Sequence, residues 1–171
     1  MTKPGRVVTF DAGRHQTDRF DCGRPALDRW LRAYAGQSQR RDVARTFVAT
    51  DRAQRVLGYY TLVAAQVEHA SAPAVVRAGA SAHFPIPVCL IARLAVCRHV
   101  QGQGLGGDLL VDALRRALAA SEEIGIRAIL VHAIDEEAAR FYRQFDFEPA
   151  TRDGLTLLVP LVSVRTQLRG G

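Results

Sequence analysis

An apolar strand running straight into a glycine-rich turn and then a well-formed amphipathic helix constrains this chain most. It lies at Leu94 to Leu118, LAVCRHVQGQGLGGDLLVDALRRAL. The first turn of a helix leaves backbone N–H groups without intrahelical partners, and the helix dipole adds partial positive charge there, so phosphate is a natural ligand. Gly102, Gly104, Gly106 and Gly107 keep side chains out of the way. Leu105, Leu109, Ala113 and Ala117 then form one stripe, with Leu110, Leu114 and Leu118 beside it. Asp108 and Asp112 precede Arg115 and Arg116, the order that the dipole favours. The stretch predicts an anion site built from backbone.

Three glycine patterns compete for the turn. A Walker loop is excluded, because no Lys-Ser or Lys-Thr follows the glycines and Lys3 is the only lysine. A dinucleotide fingerprint matches at Gly102, Gly104 and Gly107, with Asp135 placed to close the next strand as a ribose ligand. Too little chain follows it, however, for a doubly wound nucleotide domain and a substrate domain. The third pattern, Q-x-x-G-x-G, is met by Gln101, Gly104 and Gly106. With it the chain resembles the GNAT superfamily of N-acetyltransferases. That resemblance implies that Leu94, Ala95 and Val96 align the pantetheine of acetyl-coenzyme A. It also implies that Gln101, Gly102, Gln103, Gly104, Leu105, Gly106 and Gly107 surround the pyrophosphate. Downstream, Asp135 to Tyr142 (DEEAARFY) is similar to the family's N-x-x-A-x-x-F-Y helix. It puts Asp135 beside the cofactor and Tyr142 at the position of the usual general acid. This chain departs from the pattern at Asp135, at Phe145-Asp146-Phe147, and at Cys97 and His99 ahead of the loop.

A length of 171 residues, 48% of them hydrophobic, fits one globular domain over residues 1–171, with its core at about 6–162. Nothing approaches the roughly 18 consecutive apolar residues of a membrane span, and the N-terminus lacks a signal-peptide core. A cytoplasmic protein with no membrane partner is the expectation. Cys22, Cys89 and Cys97 show no paired spacing, so no metal site is read and all three are expected to be free thiols.

The element order reads strand, helix, strand, strand, strand, helix, strand, helix, strand. This is an α/β chain with a mixed, mostly antiparallel central sheet flanked by helices, as in the GNAT fold. Pro25 opens a helix whose Leu27, Trp30, Leu31 and Tyr34 recur on one face, with Asp28, Arg29 and Arg32 expected outside. Residues 69–87 read as an irregular substrate-side loop, Val88 to Val96 as a central strand, and His132 as a core histidine. Ser163 to Gly171 reads as a mobile polar tail.

Charge is unevenly spread. Residues 1–55 carry 12 Lys and Arg against 6 Asp, whereas the remainder carries 11 of each sign, so the net +6 arises in the first third. Arginine's planar fork suits phosphate. No histidine or carboxylate pair has the spacing of a general base. An acceptor amine of low pKa would not need one, and an α-amino group titrates near 7.7–8, lower still when its carboxyl is esterified, whereas a lysine titrates near 10.4. An aminoacyl-tRNA offers such an amine.

Phe20-Asp21-Cys22-Gly23, Leu27 to Leu31, Arg45 to Ala49, Gly58-Tyr59-Tyr60 and Ala92 to Val96 are together similar to the TacT-like toxins. These GNAT members of type II toxin–antitoxin modules acetylate aminoacyl-tRNA and halt translation. This second resemblance implies a basic tRNA surface, a homodimer and a cognate ribbon-helix-helix antitoxin. Arg29, Arg32, Arg40, Arg41, Arg45, Arg77 and Arg93 are the candidates for the tRNA surface. Arg93, inside an apolar strand, must find a partner or emerge at an opening. The alternatives are a GNAT enzyme acting on a protein or small-molecule amine, and a non-enzymatic nucleotide-binding module.

Overall fold

The computed structural model describes residues 5–170; Lys3 and the last residue of the expected tail, Gly171, lie outside them. Seven strands form one mixed sheet in the order β1-β2-β3-β4-β5-β7-β6. They are β1 (Val8–Thr9), β2 (Arg45–Thr50), β3 (Val56–Val67), β4 (Ile86–Val96), β5 (Ala128–His132), β6 (Glu148–Pro149) and β7 (Thr156–Pro160). The helices are α1 (Pro25–Ala33), α2 (Ala35–Arg40), α3 (Ala74–Arg77), α4 (Leu105–Ala120), α5 (Glu136–Arg143) and α6 (Leu161–Arg169). By internal contacts the chain divides into two compact units, Met1–Val63 with Ala92–Ala113, and Ala64–Ile91 with Leu114–Gly171.

In the first unit β1 pairs antiparallel with β2, and β2 with β3, in a register that shifts at Ala49/Thr50. The stripe read on α4 is what packs: Leu105, Leu109, Leu110 and Ala113 are all buried. Leu31 of α1, Val48 of β2 and Tyr59 of β3 complete this core. Gly58 fits beneath the helix, where an added Cβ would come within 2.8 Å of Leu109 Cδ1 and 3.2 Å of the Ala95 carbonyl oxygen. Only a residue without a side chain allows that approach.

Asp28 departs from expectation. It is buried, and its carboxylate accepts the backbone N–H of Cys22 at 2.9 Å. An acidic side chain in the first helical turn can fold back onto the incoming chain, which periodicity alone cannot distinguish from a solvent-facing one.

In the second unit β4 and β5 run parallel, Val88 opposite Ala128 through Ile91 opposite Val131, while β5 and β7 run antiparallel. Val76, Ile86, Val88, Ala128, Leu130 and Leu158 form its core. The stretch read as irregular holds a 3₁₀ turn at His69–Ser71 and the short α3. Arg127 Nε donates to the Val76 carbonyl at 3.0 Å, and its guanidinium also bonds the Ala78 carbonyl. His132 is exposed, not core, because β5 ends on it; its Nδ1 lies 3.2 Å from Thr156 Oγ1. The expected polar tail is helical. Leu161 and Val164 bury one face of α6, and Gln167 Nε2 donates to the Phe145 carbonyl and to Asp146 Oδ2, each at 3.0 Å.

Candidate active site

The glycine turn is open where a ligand would need it to be. Gly102 and Gly104 have φ of 77° and 89°, values that favour glycine, and a Cβ on either would meet no heavy atom within 4 Å. The turn delivers the chain into α4 at Leu105, with Asp108 N–H already donating to the Gly104 carbonyl. Gln101 braces the turn from behind. Its Nε2 donates to the Val96 carbonyl at 2.8 Å and to the Cys22 carbonyl at 3.1 Å, so this side chain holds the strand end and the turn together. Leu94 and Val96 are half-buried and Ala95 is buried. The exposed segment Gly102, Gln103 and Gly104, ahead of the first turn of a 16-residue helix, fits a pyrophosphate; the Gln101 N–H is already donated to the Arg98 carbonyl at 3.3 Å.

Further along α4, Tyr60 Oη donates to Asp112 Oδ2 at 2.5 Å. Cys97 is buried, its Sγ donating to the Val56 carbonyl at 3.6 Å, and burial pushes its thiol up. Burial likewise pushes Cys22 and Cys89 up to about 11, and all three cysteines are free thiols. Thiols that hold their protons at neutral pH are poor nucleophiles. No group of His, Cys, Asp and Glu among the described residues has the arrangement of a metal site.

Tyr142, in the other unit, sits in an aromatic cage. The ring centroids of Phe141 and Phe147 lie 5.2 and 5.6 Å from its own, and burial pushes its hydroxyl up to about 12. The hydroxyl therefore keeps its proton throughout the physiological range. No described protein group hydrogen-bonds it, yet no buried side-chain N or O among the described residues lacks a partner, so its oxygen keeps contact with solvent. Asp135 is the N-cap of α5, with Oδ1 accepting the Ala138 N–H at 2.9 Å. Glu136 then binds Arg143 at 2.6 Å along the same helix. These bonds fix α5, and with it the tyrosine.

The candidate arginines have different fates. Arg93 lies over the Trp30 ring, 4.1 Å from its centroid, and Trp30 stacks on Tyr59. Arg32 donates to the Phe20 carbonyl at 2.8 Å, and Arg45 is tied to Asp42 at 2.6 Å and to the Gln39 carbonyl at 2.7 Å. Arg29, Arg40 and Arg41 are exposed, and Arg77 is half-buried in the second unit.

Residues 42–149 match the acetyltransferase (GNAT) domain family. The chain belongs to that family and is an acetyltransferase. A tRNA-acetylating toxin of Mycobacterium tuberculosis is 45% identical to it over 146 residues, which cover 85% of this chain and 86% of that protein. AtaT complexed with acetyl-methionyl-tRNAfMet superposes with a TM-score of 0.87 at 28% identity, covering 95% of this chain and 98% of that one. A tyrosine-to-phenylalanine mutant of AtaT bound to acetyl-CoA and to the C-terminus of the antitoxin AtaR superposes with a TM-score of 0.81 at 28% identity. That alignment covers 95% of this chain and 97% of the other. No helix among the described residues is long and apolar enough to cross a membrane.

Proposed function

We propose that this chain is an acetyl-coenzyme A-dependent toxin that acetylates the α-amine of aminoacyl-tRNA and so blocks translation. The observation that carries the reading is the 45% identity, over most of both chains, to a tRNA-acetylating toxin. Acetyl-coenzyme A supplies the acetyl group as a thioester. The backbone N–H groups of residues 102–107 hold its phosphates, the Gln101 N–H being already donated to the Arg98 carbonyl, and the strand end at Leu94, Ala95 and Val96 orients its pantetheine arm. Tyr142 Oη holds the proton that the departing sulfur takes up. Acid–base assistance of this kind is commonly worth about 10²- to 10⁴-fold. The amine of an aminoacyl ester is largely unprotonated near neutral pH and reacts without a base from the protein.

A cytoplasmic setting, a homodimer, and neutralisation by a ribbon-helix-helix antitoxin belong to the same reading. The AtaT structure bound to the C-terminus of AtaR supports an antitoxin partner by likeness. The test is to incubate the protein with acetyl-coenzyme A and charged tRNA and to analyse the aminoacyl ends. N-acetylated ends are expected. Acetylation of a lysine peptide with charged tRNA left untouched would give the protein-amine alternative instead.

A further inference from the structure

A cavity of about 920 Å³ opens between β1, the loop that follows it, α2 and the turn after β2. The glycine turn is not part of its lining. Four arginines, Arg6, Arg14, Arg40 and Arg52, line it, and all four are exposed. None of the four appears in an ion pair among the described residues, unlike Arg45 and Arg55 nearby. Two carboxylates also line the space, but both are engaged. Asp51 is paired with Arg55 at 2.7 Å and accepts the N–H groups of Ala53 and Arg55, and Asp11 Oδ1 accepts the Gly13 N–H. With Asp51 offset by Arg55, the lining keeps four guanidinium charges against the single carboxylate of Asp11. Such an excess around one concavity is a binding field for an anion.

The floor is polar in one specific way. His15 lines the cavity with only 6% of its surface exposed, stacked on Phe10 at 6.0 Å. Its Nδ1 accepts the Asp11 N–H at 3.0 Å, which places the ring proton of the neutral form on Nε2 as a donor. The rings themselves are too covered to stack on a base, but no buried side-chain nitrogen among the described residues lacks a partner, so Nε2 still reaches the open space. A ring donor and guanidinium forks suit a phosphate, and exposed guanidinium faces stack on unpaired bases.

We propose that this cavity is a nucleotide subsite, with Arg6, Arg14, Arg40 and Arg52 on the phosphate and base and His15 Nε2 as a further donor. The occupant is a nucleotide of the tRNA substrate, and that part of the inference rests on the proposed function. The charge excess seen in the first third of the sequence thereby gains a place. Of its four arginines, only Arg40 was singled out by sequence.

The test compares the full-length protein with an R6Q/R14Q/R52Q variant, and with Arg52→Glu alone should the triple variant melt early. Deacylated tRNA binding is followed across a salt series, AMP binding by NMR, and acetyl-coenzyme A binding as a control. Each lost phosphate contact should flatten the log–log salt slope by about 0.7–0.9. The triple variant should therefore lose about 2–3 units of slope, and its KM for charged tRNA should rise about tenfold or more with acetyl-coenzyme A affinity unchanged. Weaker AMP binding in the variant with tRNA binding unaltered would keep the subsite and make a free nucleotide its ligand. Unaltered tRNA and AMP binding overturns the inference, as does loss of only an acidic peptide such as oligoglutamate. If the wild-type protein acetylates charged tRNA and the variant does so with the same KM and slope, the subsite fails and the function stands. If the wild type leaves charged tRNA untouched yet binds AMP through these arginines, the function fails and the subsite stands.

Discussion

The glycine turn and the tyrosine helix solve opposite problems. At Gly102 and Gly104 the chain has removed side chains and holds positive φ, leaving backbone exposed with no heavy atom within 4 Å of where a Cβ would be. Around Tyr142 it has done the reverse, packing the ring that carries the hydroxyl against the rings of Phe141 and Phe147. Backbone donors can bind a phosphate but cannot give up a proton to a leaving group at neutral pH. A caged phenol can hold a proton but contributes little to cofactor affinity. Binding and turnover should thus be separable by substitution, one region at a time.

The largest separation is expected from Tyr142→Phe, which keeps the packing and removes only the hydroxyl. Turnover should fall by about 10²- to 10⁴-fold while the acetyl-coenzyme A dissociation constant is unchanged. Full activity in stopped-flow or end-product assays would return the residue to a packing role. Gly104→Val attacks the other region. A β-branched residue disfavours φ near 89° by about 1–3 kcal/mol, so the free turn relaxes away from it and binding has to restore it; cofactor affinity measured by calorimetry should weaken by about tenfold or more. Equal affinity in the folded variant would remove the turn from the cofactor site.

Gly58→Ala sharpens the contrast between glycines, because here the Cβ would meet Leu109 and the Ala95 carbonyl and not open space. Overpacking of this kind costs about 1–3 kcal/mol, to be read as a lower midpoint in chemical denaturation. A midpoint equal to wild type would mean that α4 can shift without penalty. Asp135→Ala removes the α5 cap and should cost about 1 kcal/mol, with a drop in turnover only to the extent that Tyr142 loses its placement. The smallest effect is an expected flatness. A tyrosine pushed up to about 12 remains protonated well above neutrality, so its deprotonation should give no falling limb in kcat/KM between pH 7 and 9. A decline there would assign the proton to a more acidic group.

Legibility followed periodicity. The stripe on α4 was readable because Leu105, Leu109 and Ala113 are spaced as a buried helix face must be, and all are buried. The polar end of the chain hid α6, although Leu161, Val164 and Leu168 carry helical spacing that could have revealed it. His132 was misplaced because alternation shows which face a residue takes within a strand and not where the strand stops. Among the arginines, composition located the excess charge but could not tell Arg45, bound to Asp42, from Arg52, which lines a cavity. Ion pairing depends on neighbours that folding brings together, and residue type alone does not carry it.

By itself the sequence determined the local chemistry: a glycine turn at a helix start, an acid-capped helix bearing Tyr142, and apolar strands enough for a sheet. These depend on φ preferences, capping and spacing over a few residues, all of which are written in consecutive positions. Only the tertiary structure decided which polar side chains were already engaged. Gln101 is a brace across to Cys22, Asp28 is a buried acceptor, Arg93 lies on Trp30, and Arg6, Arg14, Arg40 and Arg52 meet around one cavity. Those assignments join residues up to 79 positions apart, as for Gln101 and Cys22, and the energy of a polar contact is set by the partner and the water it displaces.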